Sequence, residues 1–401
     1  MHSKQTIAIF GGGAAGLMAA DVLSPHCEVH LYEKGKALGR KFLVAGNGGF
    51  NLTNSASGED LYTRYTLKEF LKPALEAFDS EATRNWLAGL GIPTFVGSSG
   101  RVFPEKGIKP IEVLQKIKDR LKANGVQFHF QHEFIGFNAD QKPVVNHLGN
   151  EITVTAGHYL FALGGASWPV TGSKGDWLEA FALLGLKTLP FQSSNCGINV
   201  TWPEDFRKKY AGTPLKNLQV SVGDFSLKGE ALITDYGLEG NAIYPIVPKI
   251  REALNSGEKA FIRLDFKPQN TPGNLLEKVR GKQVQTTNYE QVFKLNKAQL
   301  ALVKAFTSKE NYVDPENFVQ QLKELKIPVS SLRPLEEAIS TVGGIALEEM
   351  NPDYSLKKFP HISIIGEMLD WDAPTGGFLL QGCFSTANFA AQAILNKFRL
   401  C

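Results

Sequence analysis

Thr6-Ile7-Ala8-Ile9-Phe10 runs directly into Gly11-Gly12-Gly13-Ala14-Ala15-Gly16, and the alanine-rich stretch Leu17–Leu23 follows. Five apolar or β-branched residues without alternation predict a short strand buried on both faces. The glycines then divide the work of a GxGxxG turn. Gly11 permits the tight turn and Gly13 lets the backbone approach a pyrophosphate. Gly16 lets the helix pack closely on the strand, while the amides of Ala14 and Ala15 and the helix dipole face the phosphates. Cys27–Tyr32 predicts the second strand, and Glu33 closes it. A carboxylate there accepts hydrogen bonds from an adenosine ribose and disfavours a 2′-phosphate. FAD and NAD share this fingerprint.

The next segment separates long ligands from short ones. A plain NAD-binding unit would proceed to another helix, whereas here a basic, glycine-rich and amide-rich loop runs from Lys34 to Asn54. Lys34, Arg40 and Lys41 are candidate ligands, the last two for phosphates. Gly46 and Gly48 let backbone amides reach a ligand, and Asn51, Thr53 and Asn54 offer uncharged side-chain hydrogen bonds. A long dinucleotide with a ring system at its far end accounts for this loop better than a short nucleotide. The alternative is an ordinary surface loop.

Four segments together resemble bacterial flavoproteins with a glutathione-reductase-like FAD fold, a group that includes aminoacetone oxidases and dehydro-bile-acid reductases. They are Gly11–Gly16 with Glu33, then Gly39-Arg40-Lys41 through Asn54. The third runs from Ala162-Leu163-Gly164-Gly165 through Trp168 and Ser173 to Asp176. The fourth begins Gly366-Glu367-Met368-Leu369-Asp370 and ends near Gln381-Gly382-Cys383. The Ala45–Asn51 loop lacks the arginine and cysteine of the family's SGGGRCN pattern, and the chain looks more like a subgroup with AGxGGxNLT and GEMLDWxAPTGG.

The resemblance implies FAD as cofactor and oxidoreductase chemistry. It implies that Ala162, Leu163 and Gly164 border the cofactor and that Gly366 and Glu367 lie near its ribityl chain. Asp370 and the loop holding Pro374, Gly376, Gly377 and Phe378 would present backbone to the flavin. A helix over Gly382–Asn396 would point its N-terminus at the pyrimidine side of the ring, favouring the anionic reduced form. The backbone near Phe134 would contact adenine.

Elsewhere, Thr66-x-x-Glu69 predicts a capping box, with Leu67, Phe70, Leu71, Leu75 and Phe78 at helical spacing. Pro110 opens a second helix lined by Ile111, Leu114, Ile117 and Leu121 and closed at Asn124-Gly125. Phe95–Phe103 predicts a hairpin. After Pro190 short β-rich runs dominate to Phe266, followed by lysine-rich amphipathic helices over 274–325. The expected architecture is therefore α/β. A Rossmann-like, glutathione-reductase-type FAD-binding domain over residues 1–190 and 336–401 carries a β-rich insert (191–268) and a helical insert (269–335). The inserts are expected to roof the flavin and form a substrate pocket.

Composition excludes several classes. The 401 residues carry 43 basic and 40 acidic side chains, a net charge of +3. That balance argues against a bulk electrostatic nucleic-acid binder. Four scattered cysteines without a CxxC pair exclude a disulfide framework and a cysteine zinc site, and they fit a cytoplasmic protein. His129 and His132 lie in an alternating run that places them on opposite faces of a strand, against a metal site. The uncharged stretch 373–396 is too rich in glycine and amides for a membrane span.

A flavin carries its own redox chemistry, which explains why no hydrolytic triad stands out. No second GxGxxG follows a strand, so the partner is NAD(P)H docked transiently, an electron source elsewhere, or oxygen. Asn51, Trp168, Thr171, Tyr244 and Cys383 are candidates to face the ring. Trp168 stacks on ligand or fills core, and no residue singles itself out as catalytic acid or base. The expected function is electron transfer between a small organic substrate and NAD(P)H or oxygen. The alternative is a flavoprotein that modifies or binds RNA, suggested by a remote similarity to tRNA-modifying flavoproteins and by the lysine-rich insert.

Overall fold

The computed structural model describes residues 4–44, 50–281 and 283–399. The chain divides into two compact units, Met1–Gln192 with Ser340–Cys401, and Ser193–Ile339. The first unit is built on a five-stranded parallel sheet. Its strands are β1 (Thr6–Phe10), β2 (Glu28–Glu33), β3 (Gln127–Phe130), β4 (His158–Phe161) and β5 (Ile362–Ile364), in the order β5-β4-β1-β2-β3. β1 lies in the middle, and Ile7 to Phe10 are buried because sheet neighbours and helices cover both faces.

Helix α1 (Ala14–Leu23) is almost entirely buried between the sheet and α3 (Phe378–Arg399), the last helix. A short helix, α2 (Arg40–Val44), follows β2. Its strand Ser340–Ile345 belongs to a separate two-stranded sheet, and the unit also holds two three-stranded antiparallel sheets. One joins Thr53–Asn54, Arg101–Pro104 and Thr94–Val96, and the other joins His132–Phe137, Pro143–His147 and Asn150–Thr153.

The second unit holds an antiparallel sheet of seven strands around its own apolar core. Two of these, Leu325–Val329 and Ser331–Leu332, come from the end of the stretch expected to be helical. Leu325, Ile327 and Val329 are buried and alternate with exposed residues, a period of two. The helices at 297–306 and 315–323 pack their apolar faces into the same core.

Four local expectations are corrected. Thr66 does not cap the helix Lys68–Ala77. Its hydroxyl accepts the Asp372 N–H at 2.7 Å and its own N–H donates to the Asp372 carbonyl, so tertiary contacts claim it first. Ile111 faces solvent, and Val113 takes the buried position beside Leu114, Ile117 and Leu121. His129 and His132 are not on opposite faces of one strand. Gln131 adopts a left-handed backbone (φ 57°) that breaks the strand and brings the two rings within 5.5 Å. The C-terminal helix begins at Phe378, four residues before its expected start, because the glycine pair ahead of it already makes the turn.

Candidate functional site

The β1–α1 turn is made by three glycines with three different surroundings. A Cβ on Gly11, whose φ is 104°, would sit 2.3 Å from the Ala162 carbonyl oxygen, so β4 packs against the turn through bare backbone. A Cβ on Gly16 would sit 1.9 Å from the Gly11 oxygen, which fixes how closely α1 approaches β1. At Gly13, by contrast, nothing lies within 4 Å of that position. Gly13 is the N-cap of α1 and no side chain caps the helix, so the first-turn amides, those of Ala14 and Ala15 among them, receive no side-chain acceptor.

Glu33 ends β2 beside this turn. Its carboxylate accepts the Gly12 N–H at 2.9 Å and the Gly35 N–H at 2.7 Å, which holds the side chain at the edge of the glycine loop. The Gly39 N–H donates to the Gly12 carbonyl and places the start of α2 there too. The turn after β4 is also pinned. The Leu163 N–H donates to the Met368 sulfur at 3.0 Å, and the Trp177 indole donates to the Gly164 carbonyl. After β5, Gly366 turns with φ 68°, and a Cβ there would lie 3.0 Å from the Ala15 methyl and 3.5 Å from the Cys383 sulfur. The opening and closing segments of the sequence therefore meet at the first turn of α1.

Lys41 bridges these loops. Its ammonium donates to Ser167 Oγ at 2.7 Å and to Glu367 Oε2 at 3.1 Å. Arg40 reaches the Val170 carbonyl at 3.0 Å. Lys34 pairs with Glu133 at 3.6 Å on the antiparallel sheet next to β3.

The far end of the cradle is a tight clasp. Gly377 (φ 104°) packs on Thr53, and the Asn54 amide donates to the Gly376 carbonyl at 3.0 Å. Thr53 Oγ1 donates to Gln381 Oε1 at 2.6 Å, and Thr83 donates to the same oxygen at 2.9 Å. Gln381 in turn donates to the Phe78 carbonyl and to Ser385 Oγ. Asp370 accepts the Gly343 N–H and donates its own N–H to the Ile345 carbonyl, which ties the β5 turn to the strand Ser340–Ile345. Tyr65 donates to the Phe378 carbonyl at 2.6 Å.

The structure thus brings together Gly11, Gly13, Ala14, Ala15, Gly16, Glu33, Arg40, Lys41, Ala162, Leu163, Gly164, Gly366 and Glu367 at the carboxyl ends of the parallel strands. Thr53, Asn54, Gly376, Gly377 and Phe378 form the clasp, with half-buried Pro374 just ahead of it. Asn51 is half-buried beside that strand. Gly46 and Gly48 lie outside the described residues. The Phe134 ring stands among Phe10, Phe161 and Phe181, so its side chain is core and only its backbone edge is available for the expected role.

Trp168 is not core: it is 36% exposed, with φ 53°. The Thr171 hydroxyl is turned back onto the Trp168 carbonyl. Tyr244 belongs to the second unit. Cys383 is buried, and burial followed by the Glu367 charge pushes its thiol well above the ordinary range. Among the described residues no cluster of three acidic, histidine or cysteine side chains suits a metal.

Sequence reading gave no role to Tyr65 or Thr83, and it quoted Ser167, Met368 and Gln381 only within family segments, without their partners. Gln381 and Ser385 do stand one turn apart as polar residues in an apolar helix. That helix includes the stretch Phe378–Phe398, long and apolar enough to cross a membrane, yet 67% of its most apolar window is packed inside the protein.

These donors fit an adenine dinucleotide. Amides without a side-chain cap at a helix start suit the pyrophosphate, and a carboxylate at the end of β2 suits ribose hydroxyls. The open Cβ position at Gly13 is the direct sign that a ligand can approach the backbone here. A family model described as the HI0933-like protein Rossmann domain matches residues 5–393. The 3-dehydro-bile acid delta(4,6)-reductase of Clostridium scindens is 24% identical over 425 residues, covering 98% of this chain and 99% of that protein. The ribosomal RNA dihydrouridine synthase of Escherichia coli K12 is 23% identical, covering 96% and 97%. The solved structure of a 3-ketosteroid-delta4-(5alpha)-dehydrogenase from Rhodococcus jostii RHA1 overlays with a TM-score of 0.48 at 13% identity, covering 97% of each chain.

Proposed function

The chain belongs to the HI0933-like protein Rossmann domain family, an FAD-binding family, and from that premise we propose that it reduces a carbon–carbon double bond conjugated with a carbonyl in a small organic substrate, using NADH or NADPH. The protein is an FAD-dependent oxidoreductase. When bound, FAD supplies a two-electron carrier between donor and acceptor. The first-turn amides of α1 would hold its pyrophosphate, Glu33 its ribose, and the loops after β4 and β5 its middle.

The observation that carries the substrate class is the chemistry shared by two relatives matched over nearly their whole length. One is named as a reductase of a 3-dehydro, delta(4,6)-unsaturated bile acid, the other as a synthase of dihydrouridine. Each name describes hydrogen added across a double bond conjugated with a carbonyl. The balance is one hydride equivalent from NAD(P)H to one carbon and one proton to its neighbour, with NAD(P)⁺ released. A small substrate is favoured over RNA by the near-equal count of 43 basic and 40 acidic side chains, since nucleic-acid backbones demand a dense basic face. Burial and the Glu367 charge push the Cys383 thiol up, which disfavours a thiolate beside the flavin.

The test is anaerobic. The flavin band of the holoprotein is followed on adding NADH or NADPH, then a 3-keto-4-ene steroid or, separately, uridine-rich ribosomal RNA. Bleaching by a nicotinamide and recovery with the steroid, with the saturated product found by mass spectrometry, is expected. Recovery with RNA alone, accompanied by salt-sensitive RNA binding, would replace the small substrate with a uracil ring. Failure of both nicotinamides to bleach the flavin would remove NAD(P)H as donor.

A further inference from the structure

We propose that Lys41 is a positioning residue, one that serves the bound FAD through Glu367 and not by pairing with a phosphate. The inference concerns the cofactor and stands whichever substrate is reduced. Lys41, Ser167 and Glu367 come from three segments that each follow the carboxyl end of a parallel strand, where open α/β sheets bind their ligands. The first segment is anchored by the Gly39 N–H on the Gly12 carbonyl, and the third by Gly366 against Ala15. The first and third segments are thus anchored at the β1–α1 turn, on Gly12 and Ala15, and Lys41 ties the second to them through Ser167.

Within this group the Lys41 ammonium is already committed. It is 2.7 Å from Ser167 Oγ and 3.1 Å from Glu367 Oε2, and the Glu367 side chain is only 14% exposed against 32% for Lys41. A phosphate brought to the same ammonium would stand beside the Glu367 carboxylate, and two anions sharing one site repel. A dinucleotide has another kind of group to offer. Its sugar-chain hydroxyls are donors, and a carboxylate accepts from them without charge conflict. The outer, more exposed lysine thus orients the inner carboxylate, and the carboxylate meets the cofactor. The pair joins residues 326 positions apart, which is why no local spacing announces it.

A double-substitution cycle on FAD affinity, measured by flavin fluorescence on the full-length apoprotein, separates the two roles. Lys41→Met and Glu367→Gln are each expected to weaken FAD roughly ten- to hundredfold, the range for losing one charge-assisted hydrogen bond. Because one acts through the other, the double variant should be no more than about twofold weaker than the worse single variant. Lys41→Arg, which keeps a cation able to pair with a carboxylate, should restore affinity to within about fivefold of the parent.

Two independent factors that multiply in the double variant would show that Lys41 acts on the cofactor directly and would overturn the proposal. So would unchanged affinity in Lys41→Met. Thermal unfolding of each apoprotein keeps folding separate from binding, and Lys41→Gln replaces the methionine variant if that one does not fold.

Discussion

Gly377 lies against Thr53 so closely that a Cβ at its position would stand 2.3 Å from the Thr53 carbonyl carbon and oxygen. With φ at 104°, this glycine meets both a steric and a conformational demand, and it closes the clasp between the early strand and the start of the last helix.

Gly377→Ala is therefore expected to destabilise the first unit by about 2 kcal/mol or more and to lower FAD occupancy with it. Gly13→Ala is the contrast. Gly13 has φ −84° and open space at its Cβ, so the variant should unfold at the parental temperature as apoprotein while binding FAD roughly tenfold more weakly. Paired melting curves and FAD titrations check this, and equal melting losses in the two variants would refute it.

Gln381 takes hydroxyl protons from Thr53 and Thr83 on one oxygen and donates from its nitrogen to Phe78 and Ser385, all in a buried setting. Gln381→Leu keeps similar bulk but removes every partner. The expected loss is about 2–4 kcal/mol, from unpaired buried hydroxyls and not from a cavity. Chemical denaturation monitored on the first unit measures it; a change below about 0.5 kcal/mol would mean that the network is incidental.

Burial, then the nearby His30 and His132, lowers the His129 pKa from 6.5 to about 4. Burial likewise lowers His158 to about 3. The folded state then binds fewer protons than the unfolded chain between these values and 6.5. Stability from this source is complete above about pH 6.5 and falls as the pH drops towards 4 and then 3. Melting temperature should decline over that window, and His129→Gln should reduce the slope. An identical slope in the variant would exclude His129 as a contributor.

The Cys383 thiol, pushed up by burial and by Glu367, should resist iodoacetamide in the native protein at pH 8 and react after denaturation. Peptide mass mapping before and after urea checks this. Native labelling at the rate of a free thiol would show that the site opens.

The glycine turn and the strands beside it were legible because their demands are local. A GxGxxG between a strand and an alanine-rich helix leaves few conformations, and Glu33 follows one helix later. The helix Pro110–Ala123 carried its own stop and start signals, proline at the front and Asn124-Gly125 behind. Thr66 carried a false signal, since a capping-box spacing has no way to register Asp372, 306 residues away.

What the order of residues determined, then, was the glycine turn between β1 and α1, the carboxylate that closes β2 and the resemblance to flavoproteins, all encoded within short windows by backbone freedom and helix capping. What only the folded chain decided was who partners whom. Lys41 faces Glu367 and not open loop, Gln381 gathers Thr53 and Thr83, and His129 meets His132 across a left-handed Gln131. Those pairings arise because a parallel sheet delivers its loops to one edge regardless of their separation along the chain, and no periodicity in a one-dimensional string records that convergence.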